Sequence, residues 1–312
     1  MFEAILLVLG GFILLGGGGE GLVSGAVSLA DRLKVPPLII GLTIIAFGTS
    51  APELTVSIQA AFQGQPDIAI GNIIGSNISN MLLVLGVSAL IQPIIVQGKE
   101  LNRDGVFMLL VTLGFSLVAF YGDITHLIAA GMVGMIVLYT VYLYRLGGDE
   151  NVTQEVTENP LAGARVPVSL IILVLGTIAV VWGADLLVKG AVILAMEFGV
   201  SEGVIGLTVV AIGTSLPELA ISVLAAFRGH AALAVGNIVG SNIYNILLIL
   251  GVTGLVHPIS IAPDFLTMDI WVLIGVSGLT VFLLSYQQGI SRVFGGLFLA
   301  TYILYIGLLF GA

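Results

Sequence analysis

Two stretches of the chain are almost the same sequence: GLTIIAFGTSAPEL at Gly41–Leu54 and GLTVVAIGTSLPEL at Gly206–Leu219. A second matched pair follows them, IAIGNIIGSNISNMLLVLGV at Ile68–Val87 and LAVGNIVGSNIYNILLILGV at Leu233–Val252. Both pairs are ungapped and have one offset of 165 residues (206 less 41, 233 less 68). Chance does not produce long matches in a single register, so the chain contains an internal duplication.

The composition indicates a membrane protein. Of the 312 residues, 58% are hydrophobic and 9% are charged, and the mean hydropathy is +1.17. A soluble domain carries about 25% charged residues, and a bilayer-spanning helix needs about 20 apolar ones. The alternating ten-residue segments typical of a membrane β-barrel are not seen. We therefore predict an all-α membrane protein with ten transmembrane helices, near residues 3–29, 37–62, 68–96, 104–122, 126–145, 167–195, 203–227, 233–260, 267–286 and 290–311.

A polar linker divides the chain into two halves. We predict an N-terminal five-helix repeat at residues 1–146, a cytoplasmic linker at 147–166 and a C-terminal five-helix repeat at 167–312. An odd number of spans forces the second copy to enter the membrane upside down, so the fold is two inverted five-helix repeats, as in many secondary transporters.

The basic residues predict the orientation. With the N-terminus on one side of the membrane, eight of the nine Lys and Arg residues fall on the other: Arg32, Lys34, Lys99, Arg103, Arg145, Arg165, Arg228 and Arg292. The positive-inside rule places that side in the cytoplasm. We expect a multi-pass protein of the plasma membrane with both termini extracellular. Lys189, within a span, is expected to extend toward the outer interface.

Two acidic residues are the strongest functional candidates. Glu53 and Glu218 each lie mid-span within GTSxPE, and charge inside a bilayer is expensive enough to indicate function. Inverted symmetry predicts that they meet near the midplane. Pro52 and Pro217 lack an N–H, which frees the carbonyls of the residues four earlier for a cation.

Neutral oxygens surround these glutamates in the sequence. Residues three and four apart share a helix face, and that spacing places Thr49, Ser50, Thr214 and Ser215 beside the two carboxylates, and Ser76 beside Asn80 and Ser241 beside Asn245. Ca²⁺ takes six to eight oxygen ligands, and two carboxylates balance its charge. No Cys is present, and the three His residues, His126, His230 and His257, lie at or beyond the ends of predicted spans, away from the two glutamates, which argues against Zn²⁺ or Cu.

At these residues the chain resembles the cation/Ca²⁺ antiporter superfamily, specifically the prokaryotic Na⁺/Ca²⁺ exchangers, which have GTSxPE and GNxxGSN in both halves. The resemblance covers essentially the whole chain. It implies electrogenic exchange of three Na⁺ for one Ca²⁺ by alternating access, with the first and sixth spans sliding against the rest. It implies that the metal ligands are Glu53, Glu218, Thr49, Thr214, Ser50, Ser215, Ser76, Ser241, Asn80 and Asn245, together with backbone carbonyls of Ala46 and Ala211.

Two rival functions stay open from the residues. Some relatives carry Asp where this chain has Asn245, and H⁺/Ca²⁺ members carry Glu within GNxxE, where this chain has Gly75 and Gly240. These departures favour Na⁺ over K⁺ or H⁺ as the counter-ion, with a Ca²⁺/H⁺ antiporter as the alternative. A cation channel is less favoured, because a duplicated self-contained site is unlike an axial pore.

Other features of the sequence predict little beyond membrane transport. No phosphate-binding loop or nucleophile–base pair is found, so we expect no enzyme and no cofactor. The expected partners are the transported Ca²⁺ and Na⁺ and the lipid bilayer, with no nucleic acid and no evident partner protein. Glu20 and Asp185 are further intramembrane acids; they either line an aqueous ion path or form a polar contact between the two moving helices.

Overall fold

The computed structural model describes residues 1–95, 99–146, 161, 163–198, 213–287 and 289–311. The helices of this part are α1 Phe2–Leu33, α2 Pro37–Thr49, α3 Ala51–Phe62, α4 Pro66–Ile91, α5 Lys99–Tyr121, α6 His126–Leu146, α7 Val166–Glu197, α8 Leu216–Phe227, α9 Ala231–Val256, α10 Asp269–Tyr286 and α11 Arg292–Gly311. A 3₁₀ turn covers Pro263–Leu266, and the short strands are β1 Ile94–Ile95, β2 Asp123–Ile124, β3 Ile259–Ser260 and β4 Gly289–Ile290.

The described helices form an all-helical membrane protein. Eight of them are long and apolar enough to cross a bilayer, and the bent pair of α2 and α3 makes a ninth. These helices agree with the predicted spans to within a few residues at most ends. The seventh predicted span, 203–227, is described only from residue 213 as far as α8, and most of the predicted linker at 147–166 also lies outside the described residues.

Two predicted spans, 68–96 and 233–260, are too long. Helix α4 ends at Ile91 and α9 ends at Val256, because each is followed by an extended residue and then a proline. The extended residues are Gln92, with φ −134° and ψ 120°, and His257, with φ −149° and ψ 128°. A residue before proline is disfavoured in the α region, which ends the helix there.

Short strands replace the missing helical turns. Strand β1 pairs antiparallel with β4, joining Ile94 to Ile290, and β2 pairs with β3, joining Ile124 to Ile259. Each ladder therefore connects one half of the chain to the other. A ladder of two residues has no periodicity, so the sequence analysis did not predict either one.

Helices α1 and α7 pack against each other in antiparallel fashion along a seam of small residues. The seam repeats every seven residues, with Ala4, Gly11, Gly18 and Gly25 on α1 facing Gly190, Gly183, Gly176 and Ser169 on α7. A Cβ atom on Gly18 would lie 2.7 Å from the Cβ of Ala179, and one on Gly176 would lie 2.6 Å from the backbone nitrogen of Leu22. The backbones thus approach as closely as small residues permit.

Polar contacts also join α1 and α7 at both ends. At one end the amino group of Met1 pairs with Glu197. At the other, the hydroxyl groups of Ser28 and Ser169 lie 2.8 Å apart, and Arg32 Nε donates to the carbonyl of Ala164 at 2.9 Å. The two long helices are therefore fastened to each other over their whole length.

The buried apolar residues form two separate clusters. The larger cluster joins α4, α5, α6, α9, α10 and α11 with part of α2. The smaller cluster joins α1, α7 and α8 with Ile40, Ile45, Leu233 and Ala234. Among the described residues, α1 and α7 contribute to the smaller cluster alone, so the long pair packs beside the main body without entering its core.

We predict that Gly18→Val weakens the fold far more than Gly16→Val. Valine at position 18 must enter the seam, and overpacking of this kind costs about 1–3 kcal/mol. Gly16, two residues earlier on the same helix, is exposed, and no described atom lies within 4 Å of a Cβ built there. Thermal unfolding of the two variants in detergent measures the difference. Equal unfolding temperatures for both variants would contradict the packing described for the seam.

Candidate ion-binding site

A break between α2 and α3 creates one side of the site. The two helices are bent by 44°, and the residue between them, Ser50, has φ −82° and ψ 10°. Pro52 follows within the first turn of α3 and supplies no N–H for a continuous helix. Glu53 consequently lies in the first turn of a new helix, where the helix dipole favours a carboxylate.

The second half repeats this arrangement. Ser215 has φ −88° and ψ 3°, Pro217 follows it, and Glu218 lies in the first turn of α8. The protein thus has two helix N-termini at the site, and each carries one glutamate. Residues 199–212, which precede this second break, lie outside the described part of the chain, and the predicted ligand Ala211 is among them.

The two carboxylates are buried and belong to one site. Glu53 is 1% exposed and Glu218 is fully buried. Ser50, three residues before Glu53, donates to Glu218 Oε1 at 3.3 Å, so the first half contacts the acid of the second. Ser76 donates to Glu53 Oε1 at 3.4 Å. Thr214 interacts with Glu53 in return, and the two carboxylates are close enough to interact electrostatically.

Several buried oxygens at this site have no hydrogen-bond partner among the described residues. They are Glu53 Oε2, Glu218 Oε2, Asn80 Oδ1, Asn245 Oδ1, Ser215 Oγ and Ser241 Oγ. Burying a polar atom without a partner is unfavourable, and most such atoms in folded proteins are satisfied. All six belong to predicted ligands. Carboxylate, amide and hydroxyl oxygens are the donors that hard cations such as Ca²⁺ accept.

The donor set also limits the kind of ion. In the described part of the chain, no group of three or more His, Cys, Asp and Glu residues is placed to hold a metal. A cation here must therefore combine the two carboxylates with neutral oxygens. This chemistry suits Ca²⁺ and Na⁺ and is unlike that of Zn²⁺ or Cu.

Each asparagine predicted to be a ligand begins a π-helical turn. The turns cover Asn80–Val84 in α4 and Asn245–Leu250 in α9, and a third covers Gly41–Ile45 in α2. Such turns insert one extra residue, shift the register of the following side chains and are frequent at functional sites. The span predictions gave no sign of these three turns.

The remaining predicted ligands of the first half line the same region. Thr49 is fully buried; its hydroxyl donates to the Ile45 carbonyl at 3.1 Å and lies 3.3 Å from Asn237 Oδ1. The Ala46 carbonyl accepts the N–H of Ser50 at 3.1 Å and the Thr49 hydroxyl at 3.4 Å. The structure thus brings Ala46, Thr49 and Ser50 together with the acid of the other half.

Two asparagines that the sequence analysis left without a role hold the glutamate helices in place. Asn72 Nδ2 donates to the carbonyl of Glu53 at 3.1 Å and to Ser57 Oγ at 3.0 Å. Asn237 Nδ2 donates to Ser222 Oγ at 3.0 Å and to the carbonyl of Glu218 at 3.5 Å. Both are the Asn of the repeated GN dipeptide, so the duplication itself carried a signal that could have identified them.

Gly71 and Gly75, like Gly236 and Gly240, are four apart in the GNxxG motifs, a spacing that predicts close helix packing. The second pair confirms it. A Cβ on Gly236 would lie 2.5 Å from the Leu38 carbonyl oxygen, and one on Gly240 would lie 2.6 Å from the Leu42 carbonyl oxygen. Helix α9 therefore lies directly against α2. The residues that the 165-residue offset matches to Leu38 and Leu42 fall outside the described part, so the prediction for Gly71 and Gly75 stays a prediction.

The other intramembrane charges form pairs away from the ligands. Glu20 Oε1 accepts from Arg228 at 2.8 Å, which joins α1 to the end of α8. Asp185 pairs with Lys189 one turn along α7, at 2.7 Å. This i,i+4 pair does not test the position of Lys189 relative to the membrane, so its extension toward the outer interface stays a prediction. Neither pair joins α1 to α7, so Glu20 and Asp185 do not form a polar contact between these two helices.

Comparison with known proteins identifies the relatives of this fold and site. A model of the family described as "Sodium/calcium exchanger protein" matches residues 3–146 and 168–311. The chain belongs to this family. A candidate antiporter of Alkalimonas amylolytica, CaxA, is 40% identical over 100% of both chains. The sodium/calcium exchanger MaX1 of Methanosarcina acetivorans is 34% identical over 98% of both chains.

A solved structure agrees with the fold. The sodium-calcium exchanger NCX_Mj, in a structure soaked with zero Na⁺ and Ca²⁺, superposes with a TM-score of 0.86 and 36% identity, covering 99% of each chain. The resemblance predicted from GTSxPE and GNxxGSN is thereby confirmed at the level of the family.

We predict that Glu53→Gln and Glu218→Gln each abolish Ca²⁺ binding and uptake while the protein still inserts and folds. Each change removes one negative charge from a buried cation site and keeps the side-chain size. Glu3→Gln, at the exposed start of α1, is the matched control and is expected to behave as wild type. Ca²⁺ uptake into vesicles and thermal unfolding in detergent provide the measurements. Near-normal Ca²⁺ uptake by either site variant would remove that glutamate from the site.

Proposed function

We propose that this protein is a secondary active antiporter that exchanges Ca²⁺ for Na⁺ by alternating access, with net movement of charge. The proposed ligands are the side chains of Glu53, Glu218, Thr49, Thr214, Ser50, Ser215, Ser76, Ser241, Asn80 and Asn245 and the carbonyls of Ala46 and Ala211. Ca²⁺ and Na⁺ are substrates here, and the activity is transport without chemical conversion.

One observation carries the proposal: two buried carboxylates from opposite halves each keep an oxygen without a hydrogen-bond partner among the described residues. Like charges buried together repel strongly at low dielectric, and one divalent ion neutralises both. Na⁺ ions use the same hard oxygens, so the two substrates compete for shared ligands. Competition for one set of ligands is the basis of antiport, since binding of one ion excludes the other.

The relatives support Na⁺ as the counter-ion. MaX1, which matches nearly the whole chain, carries the name sodium/calcium exchanger, and so does the family. Neither the Ca²⁺/H⁺ antiporter nor the cation channel has a comparable observation in its favour.

The packing supports alternating access by movement of α1 and α7. These helices are joined to each other at both ends and along the seam, and their apolar residues belong to a cluster separate from that of α4, α5, α6, α9, α10 and α11. A pair bound tightly to itself and packed beside the main core can slide as one body. Sliding would expose the site to one side of the membrane and then to the other.

We further propose ten transmembrane helices arranged as two inverted five-helix repeats, with residues 1–146 and 167–312 as the halves and 147–166 as a cytoplasmic linker. The duplicated motifs and the match of the family model to both halves support this division. The distribution of Lys and Arg supports a plasma-membrane protein with both termini extracellular.

Transport in sealed vesicles tests the function. We expect Ca²⁺ uptake into Na⁺-loaded vesicles that is abolished when the Na⁺ gradient is removed and is faster when the vesicle interior is made positive. If three Na⁺ leave for each Ca²⁺ that enters, the vesicle interior loses net positive charge, so a positive interior potential accelerates uptake and a negative one slows it. The measurement is radioactive Ca²⁺ uptake with the potential clamped by K⁺ and valinomycin.

Two outcomes of that measurement would contradict the proposal. Uptake driven by a pH gradient without Na⁺ would identify a Ca²⁺/H⁺ antiporter. Uptake that follows the Ca²⁺ gradient and potential alone, without saturation or counter-ion, would identify a channel. The Glu53→Gln variant is the negative control in each case.

The absence of cysteine from the sequence makes the proposed topology testable by single introduced thiols. Glu155→Cys, in the proposed cytoplasmic linker, is expected to react with a membrane-impermeant maleimide after permeabilisation of intact cells and not before. Gln63→Cys, between α3 and α4, is expected to react in intact cells. Reversed labelling of the two positions would overturn the proposed orientation.

A further inference from the structure

Four buried asparagines lie where the two halves meet, and they are two pairs related by the duplication. Asn77 corresponds to Asn242, and Asn80 corresponds to Asn245. All four are at most 1% exposed. Asn80 and Asn245 are proposed ligands, whereas the site described above gives no role to Asn77 or Asn242.

The hydrogen bonds among these side chains are not symmetric. Asn245 Nδ2 donates to Asn77 Oδ1 at 2.9 Å, and Asn77 Nδ2 donates to the backbone carbonyl of Asn242 at 3.2 Å. Asn242 Nδ2 instead donates within its own helix, to the carbonyl of Ile238 at 3.0 Å, and Asn242 Oδ1 has no partner among the described residues. The Asn77 side chain therefore bonds to the other half of the protein, whereas the side chain of its counterpart Asn242 donates within its own helix, α9.

The chain of bonds fixes which way each amide faces. A backbone carbonyl only accepts, so the atom of Asn77 that meets the Asn242 carbonyl must be the NH₂ group. The other atom of Asn77 is then the oxygen, which requires a donor. That requirement turns the NH₂ group of Asn245 toward Asn77. It leaves Asn245 Oδ1 pointing away from Asn77, buried and without a partner among the described residues.

Asn245 Oδ1 lies on the helix face that the proposed site uses. Ser76 donates to the Glu53 carboxylate, and Asn80, four residues later, shares its face of α4. Ser241 and Asn245 have the same spacing on α9, and both retain an oxygen without a described partner. A cation requires the amide oxygen, since an NH₂ group presented to it would repel it.

We infer that Asn77 is a positioning residue that holds Asn245 with its oxygen toward the cation, an inference that rests on the proposed ion site. Asn77 itself does not touch the ion. The Asn80 amide, in contrast, has no bond of this kind from Asn242, because Asn242 is engaged within its own helix. The two halves of the site are therefore inequivalent: Asn77 holds the Asn245 amide, whereas Asn242 gives no such bond to the Asn80 amide.

The test compares Asn77→Ala with Asn242→Ala in the full-length protein. These are the same change at corresponding, equally buried positions, and Asn242→Ala keeps the backbone carbonyl that Asn77 needs. We expect Asn77→Ala to raise the half-saturating Ca²⁺ concentration about tenfold, the factor that corresponds to one buried hydrogen bond. We expect Asn242→Ala to stay within about twofold of wild type, since it leaves the orientation of Asn245 intact. Ca²⁺ titration calorimetry in detergent and uptake kinetics in vesicles give these values.

A double-mutant cycle separates positioning from a general structural effect. If Asn77 acts through Asn245, then adding Asn77→Ala to an Asn245→Ala protein changes the half-saturating concentration by less than about twofold, because the interaction is already gone. Thermal unfolding of every variant is recorded in parallel. If Asn77→Ala does not fold, Asn77→Ser, whose hydroxyl is too short to reach Asn245, replaces it with the same expectation.

The outcomes distinguish this inference from the proposed site. Three results would overturn the positioning role while Glu53→Gln still abolishes transport. Asn77→Ala could leave the Ca²⁺ affinity unchanged, or Asn242→Ala could lower the affinity as much as Asn77→Ala does. The third result is that Asn77→Ala lowers the affinity about tenfold even in an Asn245→Ala protein. Normal transport by Glu53→Gln would instead overturn the site on which the inference rests.

Discussion

Two negative charges buried beside each other constrain the rest of this structure. Glu53 and Glu218 come from different halves of the chain, and neither forms a salt bridge within the described residues. Helix N-termini, serine hydroxyls and clamped helix backbones reduce the unfavourable energy of burying them, but these groups supply no full positive charge. A bound cation does, which makes ion occupancy part of the stability of the site as well as its function.

The duplication explains how such a site forms and also where it departs from symmetry. Each half supplies one glutamate in the first turn of a helix, one GN clamp and one π-helical turn that starts at an asparagine proposed as a ligand. The halves then diverge in detail, as Asn77 and Asn242 show by bonding in different directions. A transporter benefits from this combination, because symmetry gives two related arrangements of the helices while small asymmetries set their relative energies.

The sequence predicted the parts of the structure that leave a periodic or repeated signal. Long apolar runs located the helices, and the repeated GTSxPE identified Glu53 and Glu218 as the buried acids. The π-helical turns and the direction of each asparagine amide depend on tertiary contacts, which no local pattern encodes. The partner of Glu20 was missed for the same reason, since Arg228 lies far from it in the sequence, whereas the four-residue spacing of Asp185 and Lys189 could have predicted their pair. The early ends of α4 and α9 likewise follow from Pro93 and Pro258 and could have been predicted.

The two strand ladders have a consequence for how the protein is made. Ile94 pairs with Ile290, and Ile124 pairs with Ile259. Strands β1 and β2 are therefore synthesised well before the strands that pair with them. Helix α1 likewise waits for α7 before its glycine seam is covered. Helices α1 to α6 therefore lack these contacts until α7 to α11 have been made. Completing the fold depends on the second half of the chain, and fragments of a divided gene would have to be produced together in one cell to yield a working molecule.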